Sequence, residues 1–112
     1  MAQNPFQYNG LDHLKRCRDV LSPGAKEMLG ATYHIATTAP VGGQGQFYFD
    51  QLPRKLPKYD SASLMSFASE LQSLDLLRIQ NPAISLPDYG GVLLGITLIG
   101  RRFVEYSNAG NI

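Results

Sequence analysis

The chain has 112 residues, of which 44% are hydrophobic and 17% are charged, and this length and composition are typical of one globular domain. Ten Lys and Arg against nine Asp and Glu leave a formal net charge of +1, which excludes the strongly basic field of a nonspecific polyanion binder. Any contact with nucleic acid must therefore come from a local basic patch.

A single cysteine, Cys17, excludes an intramolecular disulfide framework and favours a reducing compartment, so we expect a cytoplasmic protein. Residues 1–10 lack the cationic and apolar segments of a signal peptide, and we predict a flexible N-terminus there. No apolar run is long enough to span a membrane. We therefore expect one domain over 11–107, followed by a flexible tail over 108–112.

Two helices are predicted in the first third of the chain. Apolar residues at helical spacing predict a helix over 11–21. Ser22 and Pro23 then mark a helix start, because the hydroxyl can cap free amides and proline tolerates the first helical position. Apolar residues at intervals of three and four extend this second helix over about 23–37.

A loop and two short elements are predicted next. The glycines and the proline of 38–46 stop a helix and predict a mobile connector. Residues 47–49 form a very short strand, on which the alternation of side chains turns Tyr48 towards solvent or a partner. Asp50 is the predicted N-cap of a short helix that ends at Pro57.

The most regular helical pattern lies over 61–75, with Asp60 or Ser61 as its cap. We expect its apolar face to be buried together with Leu29 and Phe103. The residues of that face are Leu64, Phe67, Ala68, Leu71 and Leu74.

An antiparallel hairpin and a last helix complete the predicted fold. Strands over 76–80 and 92–96 are joined by the turn-rich loop 81–91. Thr97 is the predicted cap of a helix over 98–107. The residues predicted to be buried in this helix are Leu98 or Ile99, Phe103 and Tyr106. The expected fold class is mainly α with a small antiparallel β-hairpin, an α+β arrangement.

The order of these elements resembles the winged helix-turn-helix. Residues 52–64 resemble the helix-turn-helix itself, 71–79 resemble the passage from the recognition helix into the first wing strand, and 95–103 resemble the second wing strand with the closing helix. The resemblance covers about half of the chain. It implies DNA binding, with the helix 61–75 in the major groove and the loop 81–91 as the wing.

A second resemblance concerns the biological setting. The helix start at 21–26, taken with 97–103, looks like the C-terminal domain of phage-defence-associated proteins of the Abi-alpha type. This similarity implies a prokaryotic or phage setting.

The winged-helix resemblance suggests a set of DNA contacts. The candidate phosphate contacts are Arg54, Lys55, Lys58 and Tyr59, the candidate base-reading residues are Ser61, Ser63, Ser66, Ser69 and Gln72, and the wing candidates are Arg78 and Tyr89. The helix 61–75 contains no Lys or Arg, and Glu70 and Asp75 would repel phosphates unless they point away from the groove. Ordinary solvated side chains are the alternative interpretation of these residues.

Metal binding or catalysis is the weaker alternative. His13 and Cys17 would share a helix face, and with His34 they could supply three metal ligands, but no fourth ligand stands at a recognisable spacing. A small buried hydrophobe is the favoured interpretation of Cys17. Since the sequence carries no constellation of nucleophile, base and orienting group, we expect a protein that is not an enzyme and has no cofactor or metal.

Two functions therefore stay open. The fold's usual role favours a small DNA-binding transcriptional regulator that acts on double-stranded DNA. The lack of basic residues over 61–75 and 81–91 favours a winged-helix protein-interaction module, such as an adaptor or inhibitor, that does not bind DNA. Homodimerisation would serve either function, with the first helix and the exposed part of 47–49 as the expected surface. Neither a small-molecule substrate nor a membrane is indicated.

Overall fold

The computed structural model describes residues 5–38, 46–80, 92–110 and 112. These residues form a mainly helical fold with a small antiparallel sheet. The elements in chain order are α1 (Pro5–Val20), α2 (Pro23–Thr38), β1 (Gln46–Tyr48), a 3₁₀ turn (Phe49–Gln51), α3 (Leu52–Lys55), α4 (Ser61–Ser73), β2 (Leu77–Ile79), β3 (Leu93–Ile96) and α5 (Leu98–Asn108). Among the described helices, none has the length and apolar character needed to cross a membrane.

Side-chain caps begin three of the helices, as predicted. The side chains of Ser22, Asp60 and Thr97 each accept a hydrogen bond from the backbone N–H three residues later, at 3.3, 2.8 and 2.9 Å. These bonds satisfy amides that have no partner inside the helix. Asp60, rather than Ser61, is therefore the cap of α4.

The predicted cap of α3 is wrong. Asp50 lies inside the 3₁₀ turn, the residue before α3 is Gln51, and no side chain caps this helix. The reason is the position of Phe49, which is buried and donates its backbone N–H to the carbonyl of Val92 at 2.8 Å. Because the chain turns at once after this bond, Asp50 cannot take the extended conformation that a cap requires.

The predicted strand over 47–49 is present as β1, and it joins the predicted hairpin to give a sheet of three strands. β3 is central, with β1 and β2 antiparallel on either side of it, and Gln46, Gly95 and Arg78 are aligned across the sheet. Phe47 is buried on the inner face, whereas Tyr48 is 42% exposed on the outer face, which confirms its predicted orientation. Burial of Phe47 explains why so short a strand joins the sheet.

The core is built around α2, which packs against α4, α5 and the sheet. Leu29, Leu64, Leu71 and Phe103 are buried in one cluster, as predicted, whereas Phe67 and Leu74 are only partly buried. Cys17 is fully buried in the same core, which confirms its interpretation as a small hydrophobe.

Of the residues predicted to be buried in α5, Phe103 is buried and Tyr106 is partly buried, but neither Leu98 nor Ile99 is. Leu98 and Ile99 are 66% and 38% exposed, and the buried residues are Gly100, Phe103 and Val104. Gly100 lies so close to the carbonyl of Leu76 that a side chain would not fit between them. This close approach sets the rotation of the helix and leaves its first two residues outside the core.

The bounds of α1 and α4 also differ from the predictions. α1 begins at Pro5, so it includes part of the segment predicted to be flexible, and it ends at Val20. α4 ends at Ser73 because Asp75 has a φ of 62°, which a helix does not allow, and the N–H of Leu76 closes the end on the carbonyl of Leu71 at 3.0 Å. The connector 39–45 and the loop 81–91, including Tyr89, lie outside the described residues.

Candidate nucleic-acid interface

Helix α4 presents one polar face to solvent. Its opposite face, which carries Leu64, Ala68 and Leu71, is buried against α2 and the sheet. We call the outward side the exposed face of α4. Its residues are Ser61, Ala62, Ser66, Ser69, Gln72 and Ser73. None of these side chains is charged, and all of them are short except Gln72, so the helix surface can approach a partner closely.

Glu70 is the one charged residue within α4, and it points away from this face. Its carboxylate accepts hydrogen bonds from the backbone N–H of Ser22 at 2.8 Å and from the Ser22 hydroxyl at 2.9 Å. The negative charge therefore lies at the N-terminus of α2, where the helix dipole favours it. The repulsion expected between Glu70 and phosphates is thereby reduced.

The predicted base-reading residues fall into two groups. Ser61, Ser66 and Ser69 are exposed on α4 and Ser63 is partly buried. Gln72 is exposed, but its amide oxygen accepts a hydrogen bond from the backbone N–H of Ile79 at 2.7 Å. Gln72 therefore fixes the position of β2 relative to α4, a structural role that the sequence did not indicate.

The predicted phosphate contacts differ in whether they form an ion pair in the structure. Arg54 and Lys55 are exposed on α3 and form no ion pair with any described residue. Lys58 Nζ instead lies 2.9 Å from the carboxylate of Glu27 and 5.3 Å from the ring centroid of Tyr59. This hydrogen bond lowers the pKa of Glu27 and raises the pKa of Lys58.

Tyr59 packs between Lys58 and Phe67. Its ring meets the ring of Phe67 edge to face, with the two centroids 5.0 Å apart. Such a T-shaped contact is a favourable geometry for two aromatic rings. Lys58 and Tyr59 thus connect the turn before α4 to α2 and to α4 itself.

Arg78 lies on the outer face of the sheet. It is exposed on β2 and lines a shallow polar groove of about 340 Å³ together with Gln46, Gln80 and Thr97. Gly95 forms part of the floor between Gln46 and Arg78. A guanidinium beside two amides can donate several hydrogen bonds to an anionic group.

The candidate metal ligands are not arranged as a metal site. His13 Nε2 lies 2.8 Å from the carbonyl oxygen of Leu74, so it donates to that carbonyl, and Cys17 Sγ is 3.5 Å from the same nitrogen. Burial raises the pKa of the Cys17 thiol, which disfavours the thiolate that binds metals. His34 is exposed on α2, and the described residues contain no group of three potential metal ligands.

Comparison of the chain with protein-family models, curated proteins and solved structures found no match.

The contact between Glu70 and Ser22, which turns the carboxylate away from the exposed face of α4, joins residues 48 positions apart. No local sequence pattern encodes such a contact. The exposure of the serines, by contrast, follows directly from the periodicity of α4.

Proposed function

We propose that the protein is a non-enzymatic winged-helix module that binds double-stranded DNA with helix α4 in the major groove. The single observation that carries this proposal is the exposed face of α4, which is polar, free of charge and built mainly from serines. Hydroxyl groups can donate to and accept from base edges, and short side chains allow the helix to enter the groove. The helices α2, α3 and α4 with the antiparallel pair β2 and β3 are consistent with this assignment.

We propose fewer phosphate contacts than the sequence suggested. Arg54 and Lys55 precede α4 in the chain, Arg78 follows it, and all three side chains are exposed. Lys58 is already paired with Glu27, so its charge is partly neutralised. With about three phosphates contacted, duplex affinity should be moderate and should fall as salt is added.

A fluorescence anisotropy titration with a random-sequence duplex at several salt concentrations tests the proposal. We expect a linear loss of log affinity with log salt for the natural chain. Replacing Arg54, Lys55 and Arg78 together by Gln should reduce the slope by about two to three units, because each lost phosphate contact removes about one.

A matched control removes three positive charges elsewhere. The variant Lys15→Gln, Arg16→Gln, Arg102→Gln changes the net charge equally, and all three side chains are exposed. It should keep a salt slope close to that of the natural chain. Equal slopes for the natural chain and both variants would show that the proposed cations do not contact DNA.

The exposed face of α4 has its own test. Ser66→Ala with Ser69→Ala should leave the salt slope unchanged, because neither residue carries charge, while altering which duplexes are preferred in a selection from random sequences. An unchanged preference would remove α4 as the reading helix.

A protein-interaction module is the second candidate, and specific exposed side chains favour it. Tyr48 and Leu98 are 42% and 66% exposed, and tyrosine is enriched at the centres of protein interfaces. If the natural chain shows no salt-dependent duplex binding, this function takes precedence. A second copy of the chain is then the first partner to test, by comparing the sedimentation of Tyr48→Ser with that of the natural chain.

A further inference from the structure

A second groove lies between α1, α2 and α5, away from the residues assigned to DNA binding. Its volume is about 280 Å³. Phe103 and Val104 of α5 line it and are 5% and 8% exposed. Gly30 of α2 also lines it, and a Cβ built at Gly30 would meet no atom within 4 Å. The missing side chain at Gly30 therefore leaves this space open.

The rim of the groove is cationic. Arg18 at the end of α1 and Lys26 on α2 both line it, and both are exposed. Arg18 Nε is 3.0 Å from the carboxylate of its neighbour Asp19, which partly neutralises its charge but leaves its terminal nitrogens for another partner. Among the lining residues that the structure describes none is acidic, and none of them neutralises the positive charge of Lys26.

Polar groups complete one end of the groove. Ser107 and Asn108, in the last turn of α5, line it with a hydroxyl and an amide. The wall thus combines an aromatic ring and an aliphatic side chain with two cations and two neutral hydrogen-bonding groups. Small-molecule sites combine an apolar surface with polar groups that orient the ligand, and in this groove the polar groups outnumber the apolar side chains.

We propose that this groove binds a small aromatic carboxylate. The ring of the ligand would lie against the small exposed parts of Phe103 and Val104, and its carboxylate would accept hydrogen bonds from Lys26 and Arg18. The volume limits the ligand to a small molecule, because 280 Å³ lies just below the usual range for ligand pockets, about 300 to 1,000 Å³. This site does not depend on the proposed DNA binding, since none of its residues belongs to α3, α4 or the sheet.

Titration of the ¹⁵N-labelled full chain with benzoate, followed by amide chemical shifts, tests the site. We expect saturable shifts at Gly30, Ser107 and Asn108, with a Kd on the order of 1 mM or tighter. Benzamide, which has the same shape without the charge, should bind at least about tenfold more weakly, because it forms no charge-assisted hydrogen bond. Hexanoate, a carboxylate without a ring, should also bind more weakly.

Two variants distinguish the contribution of the Lys26 charge from that of the open volume beside Gly30. Lys26→Gln should weaken benzoate binding about tenfold and leave benzamide binding unchanged. Gly30→Leu should abolish the binding of both compounds by filling the groove, and its amide spectrum reports whether the chain is folded. Lys15→Gln, which removes an exposed cation outside the groove, is the matched control and should bind benzoate like the natural chain.

Three results with the natural chain would each overturn the proposal. They are equal affinity for benzoate and benzamide, shifts located away from the groove, and no saturation up to concentrations on the order of 10 mM. Undiminished benzoate binding by the folded Lys26→Gln variant would remove the assigned carboxylate contact and the proposal with it.

Discussion

The carboxylate of Glu70 accepts two hydrogen bonds from Ser22, one from the backbone N–H at 2.8 Å and one from the hydroxyl at 2.9 Å. The same hydroxyl oxygen accepts the N–H of Ala25, so one residue of α4 completes the cap of α2. This arrangement fixes the rotation of α4 against α2. It also withdraws the acidic side chain from the exposed face of α4.

Removing this carboxylate should destabilise the fold. Glu70→Ala should lower the free energy of unfolding by about 2 to 3 kcal/mol, since hydrogen bonds to a charged group contribute about 1.5 to 3 kcal/mol. Glu70→Gln should lose less, because its amide oxygen still accepts one of the two bonds. Urea unfolding measures both. Asp12→Ala, an exposed acidic residue on α1, is the control and should change stability by less than about 0.5 kcal/mol.

Leu71 tests the core beneath α4. This residue is fully buried, so Leu71→Ala should cost about 2 to 5 kcal/mol through lost burial and the cavity left behind. Ser69→Ala, on the exposed face of the same helix, should be close to neutral. A loss below about half a kcal/mol at Leu71 would contradict the packing of α4 on α2.

Two glycines should respond in opposite directions to the same substitution. Gly100→Ala should cost about 1 to 3 kcal/mol or more, because its Cβ would overlap the backbone carbonyl of Leu76, which cannot move freely. Gly30→Ala should instead raise stability by about 0.4 to 1 kcal/mol, since the new Cβ meets open space and alanine favours a helix. Thermal and urea unfolding of both variants would show the contrast, and a stabilising effect at Gly100 would be inconsistent with the position of α5.

Asp60 predicts a specific dependence of stability on pH. Its hydrogen bond from the Ser63 N–H lowers the pKa of the carboxyl in the folded state. The stabilisation is therefore complete above the unfolded pKa of about 3.9 and is lost as pH falls through the lower folded value. Asp60→Asn keeps a capping oxygen that does not titrate in this range.

The measurement is urea unfolding of both chains at about pH 7 and about pH 3. The natural chain should lose more stability than Asp60→Asn between these two conditions. Identical losses would mean that the carboxylate of Asp60 does not contribute to the stability of α4.

Local patterns predicted most of the elements. Ser22, Asp60 and Thr97 are caps because their short polar side chains can reach an amide three residues later, a contact encoded within one turn of chain. The apolar repeat of α4 likewise placed Leu64 and Leu71 in the core. Asp50 failed as a cap for a reason outside its own neighbourhood, namely the bond between Phe49 and Val92.

The candidate site was predictable only in part. The exposure of Ser66 and Ser69 follows from helical periodicity, whereas the pairing of Lys58 with Glu27 joins residues 31 positions apart. The same holds for Gln72, whose contact with Ile79 depends on how β2 leaves the helix. Arg54 and Lys58 carry the same charge, so the sequence could not show which of them is ion-paired. Only the distance from Lys58 to Glu27 shows it.

The sequence on its own was sufficient for the periodicity of the helices, for three of the four predicted caps and for the solvent-facing serines, because each depends on interactions within one or two turns of chain. Tertiary structure decided that β1 pairs with β3, that Gly100 rather than Leu98 or Ile99 faces the core, and which way Glu70 points. Each of these depends on contacts between residues far apart in the chain, such as Phe47 with Leu94, Gly100 with Leu76, and Glu70 with Ser22. Close packing and the pairing of partly buried polar groups select among the arrangements that local preference leaves open.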